Sequence, residues 1–242
     1  MAPSIWAVQR AASWQAIGLS FLLIHLANAF AEYLFHRYML HAPLVPFFGR
    51  LCRRHTLHHG LTHIVFRRQS GTVANAYPIV ELKQREASFF PWYATIGFAV
   101  AATPAFAFAQ WLLPNMPVFF AGWAAIAWNL VLYEVFHMFE HKPFSWWQPL
   151  FGHSRWGRFW QTAYGFHLRH HADIRSNEAI SGFFGLPIAD WLFGTYVKPR
   201  MLYEDGTTVT TEDFQSTRPV WFIRWLDGLA ERAIRRAQHA AV

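Results

Sequence analysis

The longest hydrophobic pattern of the sequence lies in the middle of the chain. From Ser88 to Tyr133 there is no Asp, Glu, Lys, Arg or His. A turn signal with two prolines, at residues 113–117, divides this stretch into halves of about 20 residues, the length that a helix needs to span the hydrocarbon core of a bilayer. The pattern therefore predicts a membrane hairpin of two helices, over residues 89–112 and 117–137.

A third hydrophobic stretch, from about Trp14 to Phe35, precedes this hairpin. It is long enough for one more span, although His25, Asn28 and Glu32 make it less uniformly apolar. Two other interpretations stay open. The hairpin could be the buried core of a soluble protein, and the first stretch, with its Ala-x-Ala pattern at residues 27–29, could be a secretory signal.

Basic residues are distributed unevenly about the three predicted spans. Of the 21 Lys and Arg residues, Arg10 alone lies on the side of the N-terminus and of the turn at residues 113–117. All others, from Arg37 onward, lie on the opposite side. Because cytoplasmic segments carry an excess of Lys and Arg, this predicts an outside N-terminus and a cytoplasmic C-terminus. The net charge of +7 is then explained by topology and contact with anionic lipid, so no nucleic-acid partner is expected.

Composition supports a membrane protein. Charged residues make up 14% of the chain, against roughly 25% in soluble domains, and aromatic residues make up 19%. A single cysteine, Cys52, excludes an internal disulfide and a cysteine-based zinc site.

The predicted fold class is therefore all-α, an integral membrane helical bundle of about three transmembrane helices with a cytoplasmic cap. We predict a short N-terminal tail at residues 1–15, a membrane domain at 16–200, and a C-terminal loop and amphipathic helix at 201–242. Finer divisions are short interfacial helices and turns at 143–200, a loop at 203–218, and an amphipathic helix at 219–239 that lies on the protein surface or on the cytoplasmic membrane face.

Histidine provides the candidate chemistry. Ten of the fourteen histidines form four groups: His36 and His41 in HRYMLH; His55, His58 and His59 in HTLHH; His137 and His141 in HMFEH; His167, His170 and His171 in HLRHH. Because residues i, i+3 and i+4 share a helix face, each H-x-x-H-H is expected to point three imidazoles one way. The spacing of five in HRYMLH requires the helix to end or bend, and Pro43 supports an ending. The predicted topology brings all four groups to the cytoplasmic face.

Ten imidazoles are too many ligands for one ion, so the pattern predicts two metal ions with about five imidazoles each. Tetrahedral structural zinc is disfavoured, but imidazole suits Fe, Zn, Cu and Ni alike, so ligand type does not choose the metal. The second nitrogen of each ligand needs an acceptor, and the candidates close by in sequence are Glu32, Glu134, Glu140 and Asp173. Among the other histidines, His63 could extend the second group, His25 is expected to bond within the bundle, His153 is expected at the surface and His239 in the tail.

The order of the four groups resembles the four histidine boxes of the fatty acid hydroxylase/sterol desaturase superfamily of membrane di-iron oxygenases. Asn177 and the later stretch Ile188-Ala189-Asp190-Trp191-Leu192-Phe193-Gly194-Thr195 resemble the ending of that family. The resemblance covers about residues 16–200. It implies two Fe ions held by the ten histidines (zinc possible as purified), with O2 as co-substrate.

The same resemblance implies hydroxylation or desaturation of an unactivated C–H bond in a fatty acyl, sterol or related membrane lipid. No dinucleotide fingerprint is present, so a separate electron donor is expected, either a ferredoxin, a cytochrome or a flavoprotein reductase. The sequence assigns no catalytic residue beyond the metal ligands, and it specifies neither the lipid nor the oligomeric state.

Three alternatives remain. Glu134 and His137 form one Glu-x-x-His pair of the kind used by ferritin-like di-iron bundles, but those sites need two such pairs and further glutamates. A histidine-rich transporter could line an ion path with these side chains. A structural membrane protein could bind metal without oxygenase activity.

Overall fold

The computed structural model describes residues 5–42, 44–198, 204–214 and 217–240. Within these ranges the chain is mostly helical. The elements in chain order are α1 (Ile5–Ala11), α2 (Trp14–Phe35), a π-helical turn (His36–Leu40), a 3-10 turn (Pro46–Phe48), α3 (Gly49–Leu61), β1 (Ile64–Arg67), β2 (Thr72–Asn75), α4 (Leu82–Ser88), α5 (Ala94–Leu112), α6 (Val118–Glu140), α7 (Phe144–Phe151), α8 (Gly157–Ala172), α9 (Ile188–Phe193), a second 3-10 turn (Thr211–Phe214) and α10 (Trp221–Ala240).

Three helical segments are long and apolar enough to cross a membrane: Trp14–Leu40, Ala94–Leu112 and Val118–Glu140. They confirm the three predicted spans. Large apolar side chains such as Val100, Phe108 and Trp111 point away from the protein on α5, as expected of helices that face lipid. α6 runs three residues further than predicted, which makes His141 the residue that caps its C-terminal end.

The spans pack closely because small residues face large ones. α6 lies between α2 and α5, and Phe106, Val118 and Phe119 form a buried contact near the turn that joins α5 to α6. Gly122 is required there, because a Cβ at this position would lie 2.8 Å from the Phe106 ring.

The cap contains a feature that the all-α prediction missed. β1 and β2 form an antiparallel hairpin in which Ile64 pairs with Asn75 and Arg67 with Thr72. The turn residue Gly71, at φ +64°, is an ordinary signal of such a hairpin, but the strands Ile64–Arg67 and Thr72–Asn75 do not alternate in polarity. The predicted loop at residues 203–218 was also too simple, because Thr208 bridges to Thr72 and a 3-10 turn follows. Ile64 and Val73 pack against Tyr164 and Leu168 of α8 in the largest buried apolar cluster of the cap, so the hairpin supports the helix that carries HLRHH.

The C-terminal helix was predicted correctly, and its environment is now defined. The apolar face of α10 is buried at Ile223 and Ala230. Ile223 packs near Tyr33 and Ala189, and Ala230 packs near Tyr38. Trp221 and Trp225 are exposed on the other face. α10 therefore docks onto the end of α2 that leads into the first histidine box.

Candidate metal centre

The ten predicted histidines converge into two groups of five. The first group is His36, His41, His55, His59 and His170, and the second is His58, His137, His141, His167 and His171. Within each group the available ligand nitrogens all lie within 4.8 Å of one another, and most of the side chains are buried. The structure therefore contains two clusters that could hold metal ions, which agrees with the predicted division of ten imidazoles.

The two H-x-x-H-H boxes are divided between the groups in opposite ways. In α3, His55 and His59 belong to the first group and His58 to the second; in α8, His167 and His171 belong to the second and His170 to the first. The prediction that each box points three imidazoles one way did not foresee that the three are divided between two groups. Residues i+3 and i+4 diverge to opposite sides of residue i on a helix face, so a box that faces two neighbouring positions serves both. Neither group is complete without both boxes.

The H-x4-H box is aligned by a π turn. His36–Leu40 is π-helical, and the His41 N–H donates to the His36 carbonyl at 3.2 Å. A π turn closes on the fifth residue, so side chains five apart come to the same face, and the His36 and His41 ring centroids lie 4.8 Å apart. The helix ends here as predicted, but the alignment comes from the wider turn and not from a bend. Pro43 lies outside the described residues.

The ring nitrogens that meet in each group cannot all be joined by hydrogen bonds, because they carry too few N–H protons. In the first group, His55 Nε2 lies 3.0–3.1 Å from three other Nε2 atoms, those of His36, His41 and His59. A neutral imidazole has one N–H and one lone pair, so one nitrogen cannot form three hydrogen bonds of this kind. In the second group, His141 and His171 each donate Nδ1–H to a backbone carbonyl and turn an Nε2 lone pair toward His167 Nε2, at 3.2 and 3.1 Å. A cation at the centre of each group removes this conflict.

The spacing of these nitrogens is compatible with one ion in each group. Two nitrogens about 2.1 Å from one ion lie ~3.0 Å apart at a right angle and ~3.4 Å apart at the tetrahedral angle. The close Nε2–Nε2 pairs within the groups are 3.0–3.2 Å apart, and all the ligand nitrogens of a group lie within 4.8 Å of one another.

Backbone carbonyls, rather than carboxylates, orient four of the ten rings. Nδ1–H of each of four histidines donates to a carbonyl oxygen at 2.6–2.9 Å: His36 to Glu178, His141 to Tyr77, His170 to Ser176 and His171 to Thr62. His58 Nδ1 lies 2.8 Å from Ser88 Oγ, whose own proton goes to the Gln84 carbonyl. These bonds leave Nε2 as the free ligand atom on each ring.

The predicted supporting carboxylates were mostly wrong. Glu32 accepts from the backbone N–H groups of Ile180 and Ser181, both at 2.8 Å. Glu134 accepts from the N–H of Phe90, and Asp173 pairs with Arg169. Among the four candidates, Glu140 alone lies beside a ligand histidine, with Oε2 3.9 Å from His167 Nδ1.

Glu178 was missed, and it is the carboxylate closest to the first group. Its Oε2 lies 3.3 Å from His36 Nδ1, and its Oε1 accepts from Arg37 at 2.7 Å. Asp190 holds the backbone beneath it by accepting from the N–H groups of Glu178 and Ala179, both at 2.9 Å. The sequence offered one indication of Glu178, which is its position directly after Asn177. Asn177 and the stretch that contains Asp190 are the residues that resemble the ending of the superfamily.

Burial keeps the histidines that lie outside the spans in the neutral form. Desolvation is the largest cause that lowers the pKa of these rings well below the ordinary value, and neighbouring histidines lower it further; the rings are His41, His55, His58, His59, His167, His170 and His171. Burial also lowers the pKa of His141, to about 3, against the opposing effect of its bond to Tyr77. Their lone pairs are thus available to a metal at neutral pH.

The other histidines lie elsewhere. His63 is exposed and bonds to the Gly60 carbonyl at 3.0 Å, so it does not extend the second group. His153 is exposed in a turn, as predicted. His25 is fully buried, but within the described part of the chain its ring nitrogens form no hydrogen bond; the ring packs against Phe183 and Phe184. The side chain of His239 is not among those described.

Two cavities approach the centre. The first, which we call the inner cavity, has a volume of about 200 Å³, lies among α2, α5 and α6, and has His36 in its wall. The second, the outer chamber, has about 650 Å³ and lies among α6, α7, α8 and α9. It is lined mainly by aromatic side chains, with Glu140 in its wall but none of the ten grouped histidines. Of these two cavities, the inner one has a candidate ligand in its wall; smaller cavities of about 80 and 20 Å³ reach His41 and His55.

Comparison with protein-family models, curated proteins and solved structures finds no match to this chain. The fold and site define its class: a helical protein with three candidate membrane spans and two buried clusters of histidine that could bind metal ions.

Proposed function

We propose that this protein is a membrane-bound, O2-dependent lipid oxidoreductase that uses two iron ions, one in each histidine group. The observation that carries the proposal is the meeting of ten imidazoles in two interlocked groups beside an apolar cavity among the spans. Four histidine boxes in the order seen in the fatty acid hydroxylase/sterol desaturase superfamily supply the choice of reaction.

The reaction attacks a C–H bond that has no acidic proton. In hydroxylation, R–H, O2, two electrons and two protons give R–OH and one water. In desaturation, two vicinal hydrogens of the substrate combine with O2, two electrons and two protons to give a double bond and two waters. The iron pair, when bound, supplies the redox chemistry that activates O2. The protein residues bind the metals, orient the substrate and exclude bulk water.

A different set of residues performs each of these three tasks. The carbonyl-bound rings present Nε2 without any rotation of the side chain, because Nδ1 is already paired. Eight of the ten candidate ligands are buried and His41 and His59 are partly buried, which limits the access of water to the centre. The inner cavity guides a hydrocarbon chain toward His36 between Phe35, Leu40 and Tyr133.

Electrons come from a separate protein in this proposal. We expect a ferredoxin, a cytochrome or a flavoprotein reductase that approaches the basic face predicted to be cytoplasmic. The uneven distribution of Lys and Arg supports this orientation.

Reconstitution provides the decisive test. Protein loaded with iron, supplied with a ferredoxin and its reductase and with ¹⁸O2 in a lipid extract, should give an ¹⁸O-labelled or newly desaturated lipid by mass spectrometry. His58→Ala should abolish the product, and His153→Ala, at an exposed turn, should not. Retention of two metals without any oxidation, by any donor, would favour a metal-binding structural protein. Movement of metal across sealed vesicles would favour a transporter.

A further inference from the structure

The wall of the inner cavity is mostly apolar, and besides Glu32, His36 and Tyr133 it contains two asparagines near the middle of the membrane spans. Asn28 of α2 and Asn129 of α6 both line it, and each lies at the centre of its span. Asn28 Nδ2 and Asn129 Oδ1 are shielded from solvent and have no hydrogen-bond partner among the described residues. His25 interacts with Asn129, but its ring nitrogens and Asn129 Oδ1 do not reach the distance and angle of a hydrogen bond.

These unpaired atoms are costly in an apolar environment. A buried donor or acceptor without a partner is destabilising because it has lost its hydrogen bonds to water, and the surrounding bilayer offers no water to replace them. One atom is a donor and the other an acceptor, so a ligand group that both donates and accepts satisfies both. A hydroxyl group does this with a single oxygen.

The polar pair lies at a defined depth below the histidines. Asn28 precedes His36 by eight residues, and Asn129 precedes His137 by the same number. At 1.5 Å per residue this places both amides about 12 Å from the level of the centre. An extended chain covers ~3.5 Å for every three bonds, so this depth corresponds to about ten bonds.

Resting on the proposed function, we infer that the substrate is a hydroxyl-bearing lipid chain, with the hydroxyl about ten bonds from the carbon that is oxidised. The hydroxyl binds between Asn28 and Asn129, and the chain runs along Phe98, Leu130 and Phe35 toward His36. An unsubstituted hydrocarbon leaves Asn28 Nδ2 and Asn129 Oδ1 unpaired, although Asn129 Nδ2 already donates to Glu32 at 3.3 Å. A site built to bond a hydroxyl discriminates strongly against an analogue that lacks one.

Binding tests this inference without any oxidation. Iron-loaded protein in detergent micelles is titrated with dodecan-1-ol and with tridecane, which have the same number of heavy atoms. We expect the alcohol to bind at least tenfold more tightly. Asn28→Leu and Asn129→Leu should each remove that preference while tridecane binding is kept. Ser20→Ala, which removes another unpartnered buried hydroxyl from α2 outside the cavity wall, should leave the preference intact.

Regiochemistry gives a second readout. With decan-1-ol, dodecan-1-ol and tetradecan-1-ol, oxidation should stay at a constant distance from the hydroxyl rather than from the methyl end. Equal binding of alcohol and alkane, or an equal loss of both in the Leu variants, overturns the inference and leaves the oxidoreductase proposal standing. A preference for the alcohol with no oxidation by any donor has the opposite meaning: the ligand class holds and the proposed function fails.

Discussion

Arg37 in the π turn and Asp227 in α10 are joined by two parallel hydrogen bonds of 2.8 Å, although they are 190 residues apart in the chain. Arg37 also bonds Glu178, whose second oxygen lies beside His36. The C-terminal helix is thereby connected to the first histidine group through one buried guanidinium. Arginine suits this position because its planar fork bonds two carboxylates in fixed geometry.

Asp227→Asn should weaken this connection. Removal of one partner from a buried ion pair costs about 3–5 kcal/mol, and the partial exposure of Asp227 places the expected loss near the lower limit, about 3 kcal/mol. Chemical unfolding in detergent micelles measures it. Iron bound to the first group should fall more than iron bound to the second, because the π turn carries two ligands of the first group. Asp205→Asn, in an exposed pair with Arg67, is the matched control and should change neither quantity.

The adjacent residues His58 and His59 should bind different ions of the proposed metal pair. His58 belongs to the second group and His59 to the first, so each Ala variant should lose about one of two metal ions per chain. Elemental analysis after purification under iron-replete conditions gives the count, and His63→Ala should keep both ions. Lipid oxidation should disappear in both variants, and in His170→Ala, because each box serves both groups. Full activity of inserted His58→Ala protein would show that the two groups do not form one centre.

The metal-free protein should be unstable in mild acid. The pKa values of the grouped histidines outside the spans are lowered by burial, to about 3 for His141, whereas an unfolded chain protonates histidine near pH 6.5. Below that pH the unfolded state binds protons that the folded state does not, so stability falls as the pH drops from about 6.5 toward 3. Each such proton costs roughly 1.4 kcal/mol per pH unit. Melting temperatures of chelator-treated protein between pH 5 and 8 test this, and a flat profile would contradict it.

Gly122→Ala should destabilise the membrane hairpin. The added Cβ would lie 2.8 Å from the Phe106 ring, and overpacking of this kind typically costs about 1–3 kcal/mol. Gly97→Ala on α5 is the control, because no atom lies within 4 Å of its Cβ position. That variant should be neutral or slightly stabilising, since Ala favours helix over Gly. Resistance to thermal unfolding in micelles distinguishes the two.

Reporter fusions test the orientation. Fusions after residue 115 should report an outside location and fusions after residue 242 a cytoplasmic one. The reason is that Arg10 is the only Lys or Arg on the side of the membrane predicted to hold the N-terminus and the turn at residues 113–117. A cytoplasmic signal at residue 115 would invert the orientation and would place the histidine groups outside.

Features that depend only on residues close together in the chain could be predicted from the sequence. Span lengths follow from the uncharged run between Ser88 and Tyr133, and the convergence of ten histidines follows from four boxes at the same ends of predicted helices. A single helix period was enough for these inferences. It also located α10, because the alternation of Ile223 and Ala230 with arginines repeats at helical spacing.

Tertiary structure alone decided how the histidines are shared and supported. His58 and His59 belong to different groups because of the position of α8 relative to α3. The spacing of histidines within one box gives no information about that position. The π turn that aligns His36 with His41 is stabilised by contacts with distant residues, Glu178 and Asp227. The acceptors of the ring N–H groups are mostly backbone carbonyls, which every residue possesses, so residue identity carries no signal for them. The side chains that can bind metal are identified from the sequence. The packing of segments that are distant in the chain determines which of these side chains meet.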